Sequence, residues 1–348
     1  MSRIDGEDQL GLSVFTSENG IVYFRVGTKE SRGALSPLFL YERRDLYLRC
    51  KGDRLYSIMN REEKTMKVIE QALLEKVIIE RSRTSHKGDY GRLLLLGGTY
   101  PYGGAIIMAA LAAVKSGAGL VTVGTDRENI SALHSHLPES MAFSLQDQQL
   151  LKEQLEKAEV VLVGPGLRDD AFGENLVKQI FASLKKNQIL IVDGGALTIL
   201  ARTSLSFPSN QLILTPHQKE WEKLSGIAIE KQNEDATASA LTSFPQGTIL
   251  VEKGPATRIW QVGQSDYYQL QVGGPYQATG GMGDTLAGMI AGFAGQFKQS
   301  SLYERVVVAT HLHSAIAQEL AREHYVVLPT EISSYLPKIM KKISQKGT

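Results

Sequence analysis

Residues 159–195 read EVVLVGPGLRDDAFGENLVKQIFASLKKNQILIVDGG. A short apolar run ends at a glycine turn, a helical stretch follows, and a second apolar run closes on a second glycine turn. Neither run alternates apolar with polar residues, which is the pattern of strands covered on both faces, as in a parallel sheet. The same unit extends in both directions. Upstream lie RLLLLG (92–97), the helical AIIMAALAAVKS (105–116), GLVTVG (119–124) and the helical QQLLKEQLEKA (148–158). Downstream, QLILTPHQKEWEKL (211–224) supplies another strand and helix. Strand, glycine turn and helix in repeated order predict an α/β fold with a large, mostly parallel central sheet and helices on both faces. GTILVEKGP (247–255), TRIWQVG (257–263) and YYQLQVG (267–273) then follow too closely for crossover helices, so a smaller antiparallel portion is expected. Three helices are expected at the end, in residues 285–297, 304–324 and 331–343.

The first 65 residues differ. Short β-like runs, IVYFRVG (21–27) and LFLYERRDLYLRC (38–50), sit among dense charges without helix–strand alternation. At TMKVIEQALLEKVI (65–78), Met66 is expected to head an amphipathic helix with Val68, Ala72, Leu73 and Val77 on one face. Residues 1–65 are therefore expected to be either an accessory β-rich element or a non-native extension, with the second favoured, and 66–348 a single domain. A chain of 348 residues with 43% hydrophobic content can bury a large core. Its formal charge of +1, mixed along the chain, gives no basic stripe for nucleic acid. The single cysteine, Cys50, excludes an internal disulfide, and no Cys/His set suggests zinc. The N-terminus lacks a signal-peptide layout, and the most apolar stretch (105–124) is broken by Lys115 and glycines. No membrane association and a cytoplasmic location are expected.

Parallel sheets bind ligands beyond the carboxyl ends of their strands. The turns that belong there are LGGTYPYGGA (96–105), VGPGLRDD (163–170), VDGGAL (192–197), LTPHQKE (214–220) and VEKGPAT (251–257), with QATGGMGDTLAG (277–288) alike in character. Neither a Walker motif nor a GxGxxG after the first strand occurs. In 280–288, glycines 280, 281 and 283 precede a helix expected to begin near Thr285. Its free N–H groups and positive dipole end suit a phosphate or a developing phosphoryl oxygen. Asp284 suits two roles, an N-cap or a base beside an anion hole positioned for phosphoryl transfer.

The segment ATGGMGDTLAG resembles the glycine–aspartate signature of the ribokinase superfamily. Taken with HKGDYGRLLLLGG (86–98), GGAIIMAALAAVKSGAGLVTV (103–123), VGPGL, LTPH, EKGPAT and HLHSAIAQELA (311–321), in that order, residues 66–342 resemble the ADP/ATP-dependent NAD(P)H-hydrate dehydratases. The resemblance implies a ribokinase-like fold. It implies phosphorylation by ADP or ATP, with Mg²⁺, of the hydroxyl on hydrated NADH or NADPH, followed by loss of phosphate. It implies Asp284 as the base and a substrate contact, with Ala105, Gly166 and His217 lining the hydrated-cofactor site. It also implies that Lys253, Gly254, Pro255, Ala256 and Thr257, with Gly281 and Gly283, hold the nucleotide, and that the enzyme is a homotetramer. Lys253 equally suits a solvated strand end, His217 a helix cap, and Asp193 either a turn brace or a contact to Mg²⁺ or phosphate. His311 and His313 face different sides of a helix and do not suit a metal pair. A small-molecule kinase of the same superfamily and a non-catalytic nucleotide sensor remain the alternatives. The chain departs from the family at Met282, usually a small hydroxyl residue. It reads GGPYQATGG for GNPGMATGG, with Gly274 and Tyr276 changed, and LTPHQKE for LTPHPGE.

Overall fold

The computed structural model describes the backbone of residues 12–16, 22–26, 48–51 and 54–57, and residues 64–346 apart from 204 and 209. The chain divides into two compact units, Met1–Glu63 and Lys64–Thr348. In the first, β1 (Leu12–Thr16) pairs antiparallel with β2 (Val22–Val26), and β3 (Leu48–Lys51) with β4 (Arg54–Ser57). The run IVYFRVG coincides with β2, while residues 38–47 of the second β-like run lie outside the described residues.

The second unit opens with β5 (Thr65–Lys67) and α1 (Gln71–Val77). From β6 (Arg92–Leu96) the chain passes through α2 (Gly103–Lys115), β7 (Leu120–Thr125), α3 (Arg127–His136) and β8 (Met141–Ser144), moving outward across the sheet. Helix α4 (Gln148–Lys157) then carries it back to β9 (Val160–Val163), on the other side of β6. From there α5 (Ala171–Ser183), β10 (Ile189–Val192), α6 (Gly194–Arg202), β11 (Gln211–Leu214), α7 (Gln218–Ser225), α8 (Glu234–Leu241) and β12 (Ile249–Glu252) move away in the opposite direction. Every neighbouring pair among these strands is parallel. β13 (Arg258–Gln261) and β14 (Asp266–Gln269) add antiparallel, as the short spacings required. Helices α9 (Met282–Gly295), α10 (Leu302–Leu320) and α11 (Pro329–Ser344) complete the unit.

Right-handed crossovers that reverse direction must change face, and the two cores record this. Leu93, Leu95, Val160, Leu162, Ile189 and Ile191 pack in one core with residues of α2, α3, α9 and α10. Their strand neighbours Leu94, Leu96, Val161, Val163, Leu190 and Val192 pack in the other with residues of α4, α5 and α6. Both parities of each strand meet apolar side chains, which is why the sequence runs do not alternate. In α9, all residues from Thr285 to Gly295 are buried. A helix enclosed on all sides is apolar all round, and α9 lies on β6, β9 and β10 and against α2 and α10.

The start of this unit differs from the sequence expectation. Met66 belongs to β5, which pairs in parallel with β14, and the helix begins only at Gln71. Met66 and Val68 are exposed, Ala72 is on the surface, and Leu74 and Val77 are the helix residues that enter the core. Backbone bonds to the free edge of β14 and the Lys67–Asp266 ion pair outweigh the helical periodicity of this segment.

Candidate active site

β6 and β9 flank the point where the chain reverses direction, the place where a parallel sheet opens a crevice at its carboxyl edge. The turns along this edge are tied to one another. Gly98 N–H donates to Pro165 O at 2.8 Å, Thr99 N–H to Gly166 O at 2.9 Å and Gly195 N–H to Gly164 O at 3.2 Å. Thr215 Oγ1 donates to Asp193 Oδ1 at 2.7 Å, and Lys253 N–H to Pro216 O at 2.9 Å. The five strand-end turns thus form one rim. At its start, Ala105 in the first turn of α2 has its Cβ 2.9 Å from where a side chain on Gly166 would begin.

The glycine–aspartate turn joins this rim from above. Gly281 takes φ of +93°, a conformation that glycine adopts at little cost, and is the residue from which α9 starts. It sits between Met108 of α2 and Pro329 of α11. The helix begins at Met282 rather than near Thr285, so Asp284 is its third residue and not its cap. The amides of Met282, Gly283 and Asp284 belong to the first turn and have no intrahelical carbonyl to bond. Beneath them, the Lys253 ammonium lies 3.1 Å from the position a side chain on Gly283 would occupy.

Lys253 Nζ donates to Asp193 Oδ1 at 2.9 Å, with the lysine side chain 17% exposed and the aspartate 3%. Burial pulls the ammonium down, but Asp193, Glu220 and Asp284 outweigh it and the net shift is upward, so Lys253 is charged at neutral pH. It is therefore not a solvated strand end. Burial, reinforced by Asp193 and opposed by Lys253, lifts the Asp284 carboxyl to about 6. An acid of that strength is ionised at neutral pH and is still basic enough to take a proton in a transition state.

His217 is a helix cap. Its Nδ1 accepts from the amides of Lys219 at 3.1 Å and Glu220 at 3.2 Å, and its own N–H donates to Glu220 Oε2 at 2.8 Å. An accepting Nδ1 assigns the proton to Nε2, which lies 3.5 Å from Glu220 Oε1 on a side chain more than half exposed. Burial, helped by Lys253, holds the imidazole below its usual range. Replacing His217 with Ala is expected to lower stability by about 1 kcal/mol, the worth of an N-cap, read as a shift in the denaturant midpoint. Glu220 is a site residue that motif reading missed. It is buried, and desolvation pushes it up to about 7 against the pull of Lys253. Its place three residues after the cap was the available signal, since that is the capping-box spacing.

The turn after β12 borders a cavity of about 250 Å³, lined by Lys253, Gly254, Pro255 and Ala256 together with Gln218, Gln232, Arg258 and Gln269. Thr257 braces this turn: its Oγ1 accepts from Gly254 N–H at 3.3 Å and donates to Gly254 O at 3.0 Å. His311 and His313 lie on α10, with both imidazoles held low by burial. Two departures from the family pattern prove to be coupled. The Tyr276 ring lies 2.5 Å from where a side chain on Gly274 would begin, so the aromatic fills the space that an asparagine there would need. Met282 is half-buried and packs against the core that holds α2 and α9.

The comparisons agree with this geometry. The family model described as NAD(P)H-hydrate dehydratase matches residues 93–338. The ADP-dependent (S)-NAD(P)H-hydrate dehydratase of Streptococcus pneumoniae is 88% identical over 281 residues, covering 81% of this chain and 97% of the relative. The enzyme of the same name from Streptococcus thermophilus is 55% identical over 277 residues, covering 79% of this chain and 99% of the relative. Among solved structures, the ADP/ATP-dependent NAD(P)H-hydrate dehydratase from Bacillus subtilis, co-crystallised with ATP and Mg²⁺, superposes with a TM-score of 0.70 at 28% identity, covering 79% of this chain and 97% of that one. A hydroxyethylthiazole kinase from Pyrococcus horikoshii, at 14% identity and a TM-score of 0.53, shares the ribokinase-like fold alone. The six turns gathered on one rim are those of a ribokinase-like enzyme, and the chain belongs to the NAD(P)H-hydrate dehydratase family.

Proposed function

We propose that this protein is an ADP-dependent (S)-NAD(P)H-hydrate dehydratase, a lyase that returns hydrated NADH or NADPH to the intact reduced cofactor. The observation that carries the reading is the convergence at one point of a buried ammonium, the free amides of α9 and the Asp284 carboxylate. The terminal phosphoryl group of the donor lies over the Gly281–Asp284 turn, with its oxygens toward those amides and Lys253. The remainder of the nucleotide follows the Gly254–Thr257 turn. The hydrated ring lies toward Ala105, Gly166 and His217, with its hydroxyl at Asp284. Asp284 accepts the hydroxyl proton as the oxygen attacks the terminal phosphorus, and AMP departs from ADP, or ADP from ATP. The ring C–O bond then breaks, phosphate leaves, and loss of a proton from the neighbouring carbon restores the double bond.

Among the described residues, no three His, Cys, Asp or Glu side chains cluster as a metal ligand set. A Mg²⁺ would arrive held mainly by the donor's phosphates and needs at most one or two protein carboxylates. Asp284 is the rim carboxylate that would supply one, because Asp193 is already bonded to Thr215 and Lys253. Such an ion would neutralise charge on the phosphoryl group. The catalytic unit is residues 66–348. Incubation of the protein with hydrated NADH, Mg²⁺ and either ADP or ATP is expected to regenerate the absorbance of reduced nicotinamide, faster with ADP. No return of absorbance with either nucleotide overturns the assignment.

A further inference from the structure

Asp193 heads α6, where an aspartate ordinarily caps the helix by accepting from first-turn amides. Its side chain makes no such bond. Oδ1 instead accepts from Thr215 Oγ1 at 2.7 Å and from Lys253 Nζ at 2.9 Å. Three residues just past the carboxyl ends of the adjacent parallel strands β10, β11 and β12 therefore form a row across the rim: aspartate, threonine, lysine. The threonine fixes the carboxylate, and the carboxylate fixes the ammonium. At the far end of the row that ammonium abuts Gly283, 3.1 Å from the position of a side chain there.

A lysine side chain free to rotate carries rotamer entropy, which a bound phosphate would have to overcome. Here the side chain is already ordered. An ammonium has three donors, and the bond to Asp193 occupies one of them. The other ionisable groups facing Lys253 are Glu220 from the start of α7 and Asp284 from α9, and both add to its positive charge being retained. His217 and His313 feel the same charge as a downward pull on their imidazoles.

We propose that Asp193 is a positioning residue, which anchors the Lys253 ammonium against the Gly281–Asp284 turn so that the cation is in place before the nucleotide binds. This rests on the reading of that turn as the phosphoryl site. It makes Asp193 act on the nucleotide only through Lys253, whereas a mere brace of the β10 turn would act independently of the lysine.

The test is a double-mutant cycle on ADP affinity, measured by titration calorimetry on the full chain. Asp193→Asn and Lys253→Met are each expected to weaken ADP binding by about tenfold or more, as removal of a charged contact does. The double variant is expected to bind no more weakly than Lys253→Met alone, to within about twofold. Because the double variant removes both charges of the pair, it avoids the unpaired Asp193 carboxylate that Lys253→Met alone leaves buried. Thr215→Val keeps both charges and loses only the hydroxyl that orients the carboxylate, and it should weaken ADP in the same direction. In turnover, Asp193→Asn should raise the KM for ADP and leave that for the hydrated cofactor unchanged. Additive losses in the cycle, or wild-type ADP affinity in both Asp193→Asn and Thr215→Val, overturn the proposal. A non-additive cycle in a protein that never regenerates reduced nicotinamide supports the anchor and removes the dehydratase reading. Turnover with an additive cycle does the reverse.

Discussion

Asp284→Asn is expected to lower kcat by roughly 10²–10⁴, the usual contribution of a positioned general base, while ADP still binds. The substitution keeps the shape of the side chain and the helix it belongs to, and removes only the capacity to accept a proton. In the proposed site ADP is held by the amides of α9, Lys253 and the turn that follows it, none of which this change deletes. Steady-state rates and calorimetric ADP titration on the same preparation separate the two effects, and normal turnover would remove Asp284 from the chemistry. The wild-type pH profile carries a second signature of the same residue. A base must be ionised to act, and burial with Asp193 nearby raises this carboxyl from its ordinary 3.8 to about 6. Turnover should therefore fall as the pH drops through about 6, where an unperturbed aspartate would keep its activity to near 4. Glu220, lifted to about 7, is a competing source of an acid limb. Glu220→Gln keeps the bond to the His217 amide and should leave the limb near 6 in place, because Asp193 and Lys253 are the charges that act on Asp284. A limb that disappears in Glu220→Gln would assign it to the glutamate.

The second large effect is on the fold and the site together. Gly288 lies directly against the carbonyl of Ala109, so α9 and α2 touch backbone to backbone. Gly288→Leu places a branched side chain where the obstructing atoms belong to a helix and cannot rotate away. Overpacking of a core costs about 1–3 kcal/mol, and this collision should lie at the upper end, lowering Tm by roughly 5–10 °C. Activity should fall further than the loss of folded protein explains. In the proposed site the two helices carry the two halves, Asp284 on α9 and Ala105 on α2, and their separation is set at this contact. Thermal unfolding and kcat measured well below Tm test both parts. A variant with wild-type Tm would show that the helix pair relaxes freely.

The resemblance and the structure meet at the glycine–aspartate turn, although the local reading placed the helix start three residues late. Glycine before a helix is ambiguous in sequence because a cap and an anion site use the same residue types. Asp284 at the third position, with Gly281 as the residue from which the helix departs, removes the cap as its role. His217 went the other way: its ring is a cap, and any contact with substrate must use the outward Nε2.

The sequence by itself determined the α/β class, the parallel centre with its antiparallel extension, and the set of turns that the fold gathers on one rim. These are legible because each rests on a local rule. A strand enclosed on both faces must be apolar at every position, a strand following within a few residues cannot cross over in parallel, and a glycine turn ahead of a helix exposes its own amides. Tertiary structure alone decided what the charged residues do. Lys253 reads as a strand-end lysine until Asp193, 60 residues away in sequence, is found bonded to it. Glu220 reads as one more surface acid until burial raises it, and Met66 and Lys67 read as the start of a helix until the edge of β14 claims their backbone. Burial and pairing across strands depend on which segments the fold brings side by side, and no short window of sequence contains both partners.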